Sequence, residues 1–232
     1  MESILKCTDL NKRYGKKDAL TNLSVDITSG KIVGLLGQNG SGKTTLIKTA
    51  AGILTPTSGL IQICGQPVGI QTKKLVSYLP ERTYLDENMN VMNTISFFAD
   101  FYDNFDKNKA FDMLNRLGIK PADKIKTMSK GTKEKLQLVL VMSRNAKLYL
   151  LDEPLGGVDP AARDYILETI ISNYSQDGSV IISTHLIYDI EKCLDDVCFI
   201  KNGCAIMHTT VDDIRENKGT SVDNLFREMF RC

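Results

Sequence analysis

The stretch Gly37-Gln-Asn-Gly-Ser-Gly-Lys-Thr-Thr45 (GQNGSGKTT, 37–45) sets three glycines, one lysine and two threonines side by side. An apolar run, IVGLL (32–36), precedes it, and a helical pattern, LIKTAAGIL (46–54), follows. Gly37, Gly42, Lys43 and Thr44 fit the spacing GxxxxGK[ST]. Glycines let the chain turn with its N–H groups inward, where a side chain would block a phosphate. Lys43 brings positive charge to the terminal phosphates, the Thr44 hydroxyl suits Mg2+, and the next helix offers its positive end. A glycine-rich turn that binds nothing is the plain alternative, and the strand before and helix after weigh against it. The stretch predicts a loop for a nucleoside triphosphate, completed by Gln38, Asn39, Gly40, Ser41 and Thr45.

The neighbouring pattern alternates strands with helices. KIVGLL (31–36), KLYLLD (147–152) and SVIIST (179–184) are nearly unbroken apolar runs, as in parallel strands covered on both faces. ALTNLSVDI (19–27) alternates, as a half-buried antiparallel strand does. Helical patterns fall at about 44–53, 160–174 and 186–194. The expected class is α/β, with a mainly parallel central sheet and an antiparallel N-terminal part. Between about 86 and 145 such strands are missing, and TISFFADFY (94–102), KNKAFDMLNRLGI (107–119) and KEKLQLVLVMSR (133–144) predict a helical insert. The chain then reads as one domain, with its core at about 1–85 and 146–232. Asn-Gly within VCFIKNGCAIMH (197–208) predicts a hairpin, and SVDNLFREMF (221–230) a small docking helix.

A chain of 232 residues, 42% hydrophobic and 25% charged, has ample material for a core. Its net charge of +1 gives no reason to expect nucleic acid. The basic segment KIKTMSKGTKEK (124–135) reads most simply as a solvated face. Cysteines at 7, 64, 193, 198, 204 and 232 form no CxxC pair, which predicts buried, reduced thiols in a cytosolic protein. MESILKCTDL (1–10) is too polar for a signal peptide, and no apolar stretch approaches the ~20 residues that span a bilayer.

LYLLDEP (148–154) is an apolar strand ending in adjacent carboxylates. At a strand's C-terminal edge Asp152 can hold a metal, and Glu153 can act as general base toward an attacking water. Two acids that merely cap the next helix are the alternative.

With these motifs in hand, the sequence resembles the ATP-binding cassette (ABC) ATPases over nearly its whole length. Tyr14, in KRYGKKDAL (12–20), matches the aromatic that stacks on adenine. LVSYLPE (75–81) matches the loop between sheet core and insert, and MSKGT (128–132) stands where the family's signature belongs. PLGGVDP (154–160) resembles the loop whose Asp159 lies between two cassettes, and ISTHL (182–186) supplies His185 for the γ-phosphate. The resemblance implies ATP and Mg2+ as cofactors, with Thr44, Asp152 and Glu81 toward the metal. It implies that Ser129 and Gly131 of one chain complete the site of a second cassette, an identical copy in a two-fold dimer. Glu81 departs from the usual glutamine: it can still ligate Mg2+, but adds negative charge and loses an amide donor. Lys130 and Thr132 depart from the usual glycine and glutamine; Lys130 either attracts the second chain's phosphate or is simply solvated.

Similar YLPE and SKG variants occur in bacterial exporters with a separate membrane subunit. The leading expectation is therefore the ATPase subunit of an exporter, peripheral on the cytoplasmic face and bound to an integral-membrane partner. The insert and the loop at 75–90 would dock there, with Tyr84, Leu85 and Met89 either as apolar contacts or as ordinary packing of the insert. Competing readings are a soluble ABC ATPase acting on DNA or ribosomes, a small-molecule kinase and a cassette that only binds nucleotide. Proteins of the first kind usually carry tandem cassettes or a long coiled-coil insertion, which this sequence does not show, and the second leaves the signature segment, Asp159 and His185 without a role.

Overall fold

The computed structural model describes residues 2–175 and 177–230, so Cys232 lies outside the described residues. The chain begins with β1 (Ser3–Tyr14), β2 (Lys17–Thr28), β3 (Ile32–Leu36), α1 (Lys43–Ala50), β4 (Ser58–Ile63), β5 (Gln66–Pro67), α2 (Ile70–Leu75) and β6 (Val76–Leu79). Three helices follow, α3 (Val91–Phe101), α4 (Lys107–Arg116) and α5 (Lys130–Met142). Then come β7 (Leu148–Asp152), α6 (Pro160–Asn173), β8 (Ser179–Thr184), α7 (Ile187–Ile190), β9 (Asp196–Lys201), β10 (Cys204–Thr210), α8 (Val211–Lys218) and α9 (Val222–Met229).

The three unbroken apolar runs become β3, β7 and β8, and every residue of each is buried. They sit inside a sheet of order β10-β9-β3-β8-β7-β6, parallel throughout except for the β9–β10 hairpin at one edge. Parallel strands open their C-terminal ends on the same edge, so the loops after Leu36, Asp152 and Thr184 emerge side by side. That is where open α/β sheets place ligands. A second, antiparallel sheet has the order β2-β1-β4-β5.

Two elements differ from the sequence expectation. LVSYLPE is not wholly a loop: Val76–Leu79 pairs in parallel with Leu148–Leu151 as the edge strand β6, and the loop starts at Pro80. Ser77 breaks the apolar run, but its buried hydroxyl is satisfied by Val141 O at 2.8 Å. β1 was hidden because its alternation is interrupted by register shifts around Cys7–Leu10 and by Asp9 at φ +46°. Gly59 makes that bulge possible, since a Cβ there would lie 2.1 Å from Asp9 O.

One core lies between the two sheets, with Leu5, Leu10, Leu23 and Ile27 facing Val33, Leu46, Leu150 and Ile181. The other packs the parallel sheet against the helices and takes in the whole run Leu136–Met142 except the amide of Gln137. Each such aliphatic side chain contributes about 1.5–3 kcal/mol over an exposed one. The helices between β6 and β7 begin on side-chain caps: Asn90 accepts from Asn93 N, Asp106 from Lys109 N and Ser129 from Thr132 N. Leu85 turns inward and is buried, and Met89 packs on the same core, so of the two readings these residues follow ordinary packing of the insert rather than partner contact. The apolar groups left exposed on this side are Tyr84, Met92, Phe97 and Phe101.

At the hairpin, Asn202 and Gly203 both take positive φ, +50° and +78°, as a two-residue turn of that hand requires. The turn braces the first loop of the sheet edge, for Gly203 N donates to Ser41 O at 2.9 Å and Gly203 O accepts from Thr21 N at 3.0 Å. The tail helix α9 docks through Phe226 and Phe230 onto Phe199. Among the described residues no helix is long and apolar enough to cross a membrane.

The five described cysteines are free, and Cys7 and Cys198 are buried. Burial pushes both thiols up from 9.0 to about 12, aided at Cys7 by Cys198 and Asp26. The folded chain then keeps protons that the unfolded chain has released, so this contribution is full below pH 9 and fades as pH climbs toward 12. Urea unfolding between pH 8 and 11 should show falling stability, with a shallower fall in a Cys7→Ala, Cys198→Ala variant. An unchanged slope would exclude the buried thiols as its cause.

Candidate nucleotide site

The loop of residues 37–42 connects β3 to α1 and is held open by its own backbone. Gly40 and Gly42 sit at φ +79° and +113°, and Gly42 caps α1. A Cβ on Gly42 would meet Ala19 O at 2.6 Å, and one on Gly37 would meet Ile200 O at 2.4 Å. Both positions are glycine because the backbone of β2 or β9 passes too close for anything larger. Lys43 points back into the loop, donating to Gly37 O at 2.7 Å and Gln38 O at 3.2 Å. Its ammonium lies 3.9 Å from Glu153 Oε1. Desolvation holds the Lys43 pKa below the usual lysine value, opposed by the charges of Glu153, Asp152 and Glu81.

Asp152 ends β7 and is 1% exposed. Its Oδ1 accepts from Thr44 Oγ1 at 2.9 Å and from Ser183 Oγ at 2.7 Å. Its Oδ2 is buried with no partner among the described residues, as is Ser41 Oγ in the loop. Leaving a buried carboxylate oxygen unsatisfied costs about 1–3 kcal/mol or more, so this atom fits a ligand. Oxygen donors from Thr44 and Asp152 suit a small hard cation. Among the described residues no three His, Cys, Asp or Glu side chains gather as a metal cluster. A cation here would take further ligands from phosphate and water, which is the habit of Mg2+.

Glu153 follows at φ +51°, a conformation that non-glycine residues rarely adopt. The strain is held by Ser183, whose carbonyl and hydroxyl accept from Glu153 N at 3.0 and 3.1 Å. Glu153 Oε2 meets His185 Nδ1 at 3.0 Å. The carboxylate therefore lies between Lys43 and an exposed imidazole at the end of β8.

These groups open on one cleft of about 1030 Å³. It is lined by Asn39, Gly40 and Gly42–Thr45 of the loop and α1, by Tyr14 of β1, and by Glu153 and His185 just past β7 and β8. Glu81, Arg82 and Thr83 come from the loop after β6, and Lys130, Lys133 and Glu134 from the first turns of α5. Tyr14 is 46% exposed, with the Lys12 ammonium 5.4 Å from its ring centroid. Gly37, Ser41 and Asp152 lie behind this surface and are buried. The Gln38 side chain turns away, donating to Phe230 O at 3.2 Å.

Ser129, Gly131 and Asp159 are exposed and are not among the residues lining the cleft of their own chain. The Ser129 hydroxyl caps α5, and a Cβ on Gly131 would meet open space. The first turn of α5 carries no acid and has Lys130 at its start, against the usual preference for negative charge there. Asp159 stands just before α6.

Sequence reading missed Ser183, whose signal was a serine inside an otherwise apolar strand. Ser183→Ala should remove one bond to a charged group and one support of the strained Glu153. The expected loss is about 1–3 kcal/mol in urea unfolding. Stability equal to wild type would contradict this.

A family model described as ABC transporter matches residues 20–156. An uncharacterised ABC transporter ATP-binding protein of Methanocaldococcus jannaschii is 32% identical over 92% of this chain and 80% of its own length. The lantibiotic transport ATP-binding protein SrtF of Streptococcus pyogenes is 29% identical over 90% of this chain and 92% of its own. A solved ATP-binding subunit of an ABC transporter superposes with a TM-score of 0.87 at 28% identity, covering 99% of this chain and all of that one.

Proposed function

The chain belongs to the ABC transporter family of ATP-binding proteins, and on that premise we propose that it hydrolyses ATP to drive export through a separate integral-membrane subunit. The observation that carries the chemistry is the set formed by Lys43, the unpartnered oxygen of Asp152 and the Glu153–His185 pair on one sheet edge.

Triphosphate would lie on the N–H groups of residues 39–45, and Lys43 would exchange loop carbonyls for the terminal phosphate oxygens. Mg2+ would be held by Thr44 and Asp152, with Glu81 reaching it from the opposite wall. There it would neutralise charge developing on the phosphates. Glu153 accepts the proton of an attacking water, and His185 at 3.0 Å orients that carboxylate. Tyr14 offers its ring to the adenine.

Ser129 and Gly131 have no role in their own chain's cleft, which supports a two-fold dimer in which they close the site of a second, identical copy. Lys130 sits beside them with its side chain 82% exposed, and we assign it to the facing phosphate. Asp159 would then lie between the two copies. Binding ATP joins the copies and hydrolysis releases them.

The exposed group of Tyr84, Met92, Phe97 and Phe101 is our choice for the face that meets the membrane subunit. Transport in the name of SrtF supports the transport reading, and the YLPE and SKG variants support export as its direction. The chain would thus be peripheral on the cytoplasmic face. A cassette that only binds nucleotide is the second reading, favoured by Glu81 and Lys130 in place of the usual residues.

Glu153→Gln should lower ATP turnover on the order of 10²–10⁴-fold while leaving binding intact. The variant should run as a dimer on gel filtration with MgATP. Unchanged turnover would remove Glu153 from the mechanism, and a wild type without turnover would favour the binding-only reading.

Lys43→Ala tests the loop separately. At a hundredfold excess over Kd, ATP should stabilise the wild type by about 2.7 kcal/mol. In the variant that thermal shift should vanish. An equal shift in both proteins would place the triphosphate somewhere other than on Lys43.

A further inference from the structure

Gln137 lies within the buried run LQLVLVM and is 3% exposed. Both ends of its amide are used across the fold. Nε2 donates to Pro80 O at 3.1 Å, and Oε1 accepts from Tyr84 N at 3.3 Å. Those two backbone groups bracket Glu81, Arg82 and Thr83, the residues that line the cleft from this side.

The same face of α5 makes similar ties one turn to either side. Lys133 Nζ pairs with Glu87 Oε1 at 2.5 Å, and Val141 O accepts from Ser77 Oγ at 2.8 Å. Positions 133, 137 and 141 are spaced four apart and so lie in one row. Just past the helix, Arg144 Nη1 donates to Val76 O at 2.6 Å. The helix that starts at Ser129 and the segment 76–87 thus run antiparallel and are joined at every turn.

A buried amide without partners costs about 1–3 kcal/mol, and every neighbour of Gln137 from Leu136 to Met142 is apolar. The two loop groups it satisfies are the physical reason an amide is tolerated there. Without it, Glu81–Thr83 would be an exposed loop free to wander, and misplacement by about 1 Å can cost on the order of 10² in rate.

We propose that Gln137 is a positioning residue: it fixes the Glu81 loop to the helix beginning at Ser129, so that Glu81 in its own cleft and Ser129 offered to a second copy move as one body. The proposal rests on the hydrolytic reading above. Gln137 touches no substrate and acts through Glu81.

Gln137→Met keeps the length of the side chain and removes both bonds. Its kcat should fall about 10–100-fold, as for other residues that support a ligand from behind. MgATP affinity should stay that of wild type. In a Glu81→Ala background the same substitution should do nothing further, because the group it positions is gone. Losses that multiply in the double variant, or full turnover in the single one, would overturn the proposal.

Hydrogen exchange gives a readout apart from turnover. The Tyr84 amide should exchange faster in Gln137→Met while residues 40–45 stay unchanged. Should that variant fail to fold, the wild type decides, for Tyr84 and the α5 amides should slow together when MgATP is added. Independent responses would break the link. A wild type that binds MgATP without hydrolysing it would instead refute the hydrolytic reading, and the exchange arm would still decide the role of Gln137.

Discussion

The site depends on one buried carboxylate. Asp152 closes β7, next to the edge strand β6, and its Oδ1 joins Thr44 on the first turn of α1 to Ser183 on β8. Three segments far apart in sequence are thereby pinned within hydrogen-bond distance at the edge where the parallel strands open. Ser183 extends the grip to Glu153, holding its backbone in a left-handed turn that places the carboxylate beside Lys43 and His185. An acidic group at this depth is costly unless it is paired. Asp152 has one oxygen paired and one left for a ligand, and that division links the stability of the sheet edge to its chemistry.

Charge in the cleft is balanced in a way that suits an anionic, metal-bound guest. Lys43 is desolvated and lies 3.9 Å from Glu153, and the negative charges of Glu153, Asp152 and Glu81 offset the cost of burying its ammonium. The loop after β6 brings Glu81 and Arg82, of opposite sign, and α5 brings Lys130, Lys133 and Glu134. Of the three departures from the common family pattern, Glu81, Lys130 and Thr132, the two charged ones are opposite in sign and line the same cleft.

Much of the fold was readable because parallel strands buried on both faces leave unbroken apolar runs. The phosphate loop, the two acids after β7 and the Asn202-Gly203 turn each combine residue types that backbone geometry demands. Other features depend on distant partners and left no local periodicity. β1 is bulged at Asp9 against Gly59, and β6 carries a serine satisfied by α5, so neither alternates cleanly. For Leu85 the resemblance implied a partner contact and the sequence equally allowed packing of the insert, and its neighbours fold it into the core. The same holds for Ser183 and Gln137. Each is a polar residue in an apolar run, a signal whose meaning appears only once its partners are known.

The central claim is that triphosphate lies between two copies, cradled by residues 37–45 of one and capped by Ser129 of the other. The most direct measurement is an experimental structure of the hydrolysis-blocked protein, Glu153→Gln, grown with ATP and Mg2+. The account predicts phosphate oxygens on Lys43 and the loop amides, metal on Thr44 and Asp152 Oδ2, and Ser129 of the second copy at the γ-phosphate. Nucleotide held by one chain alone, or metal bound away from Asp152, would contradict it.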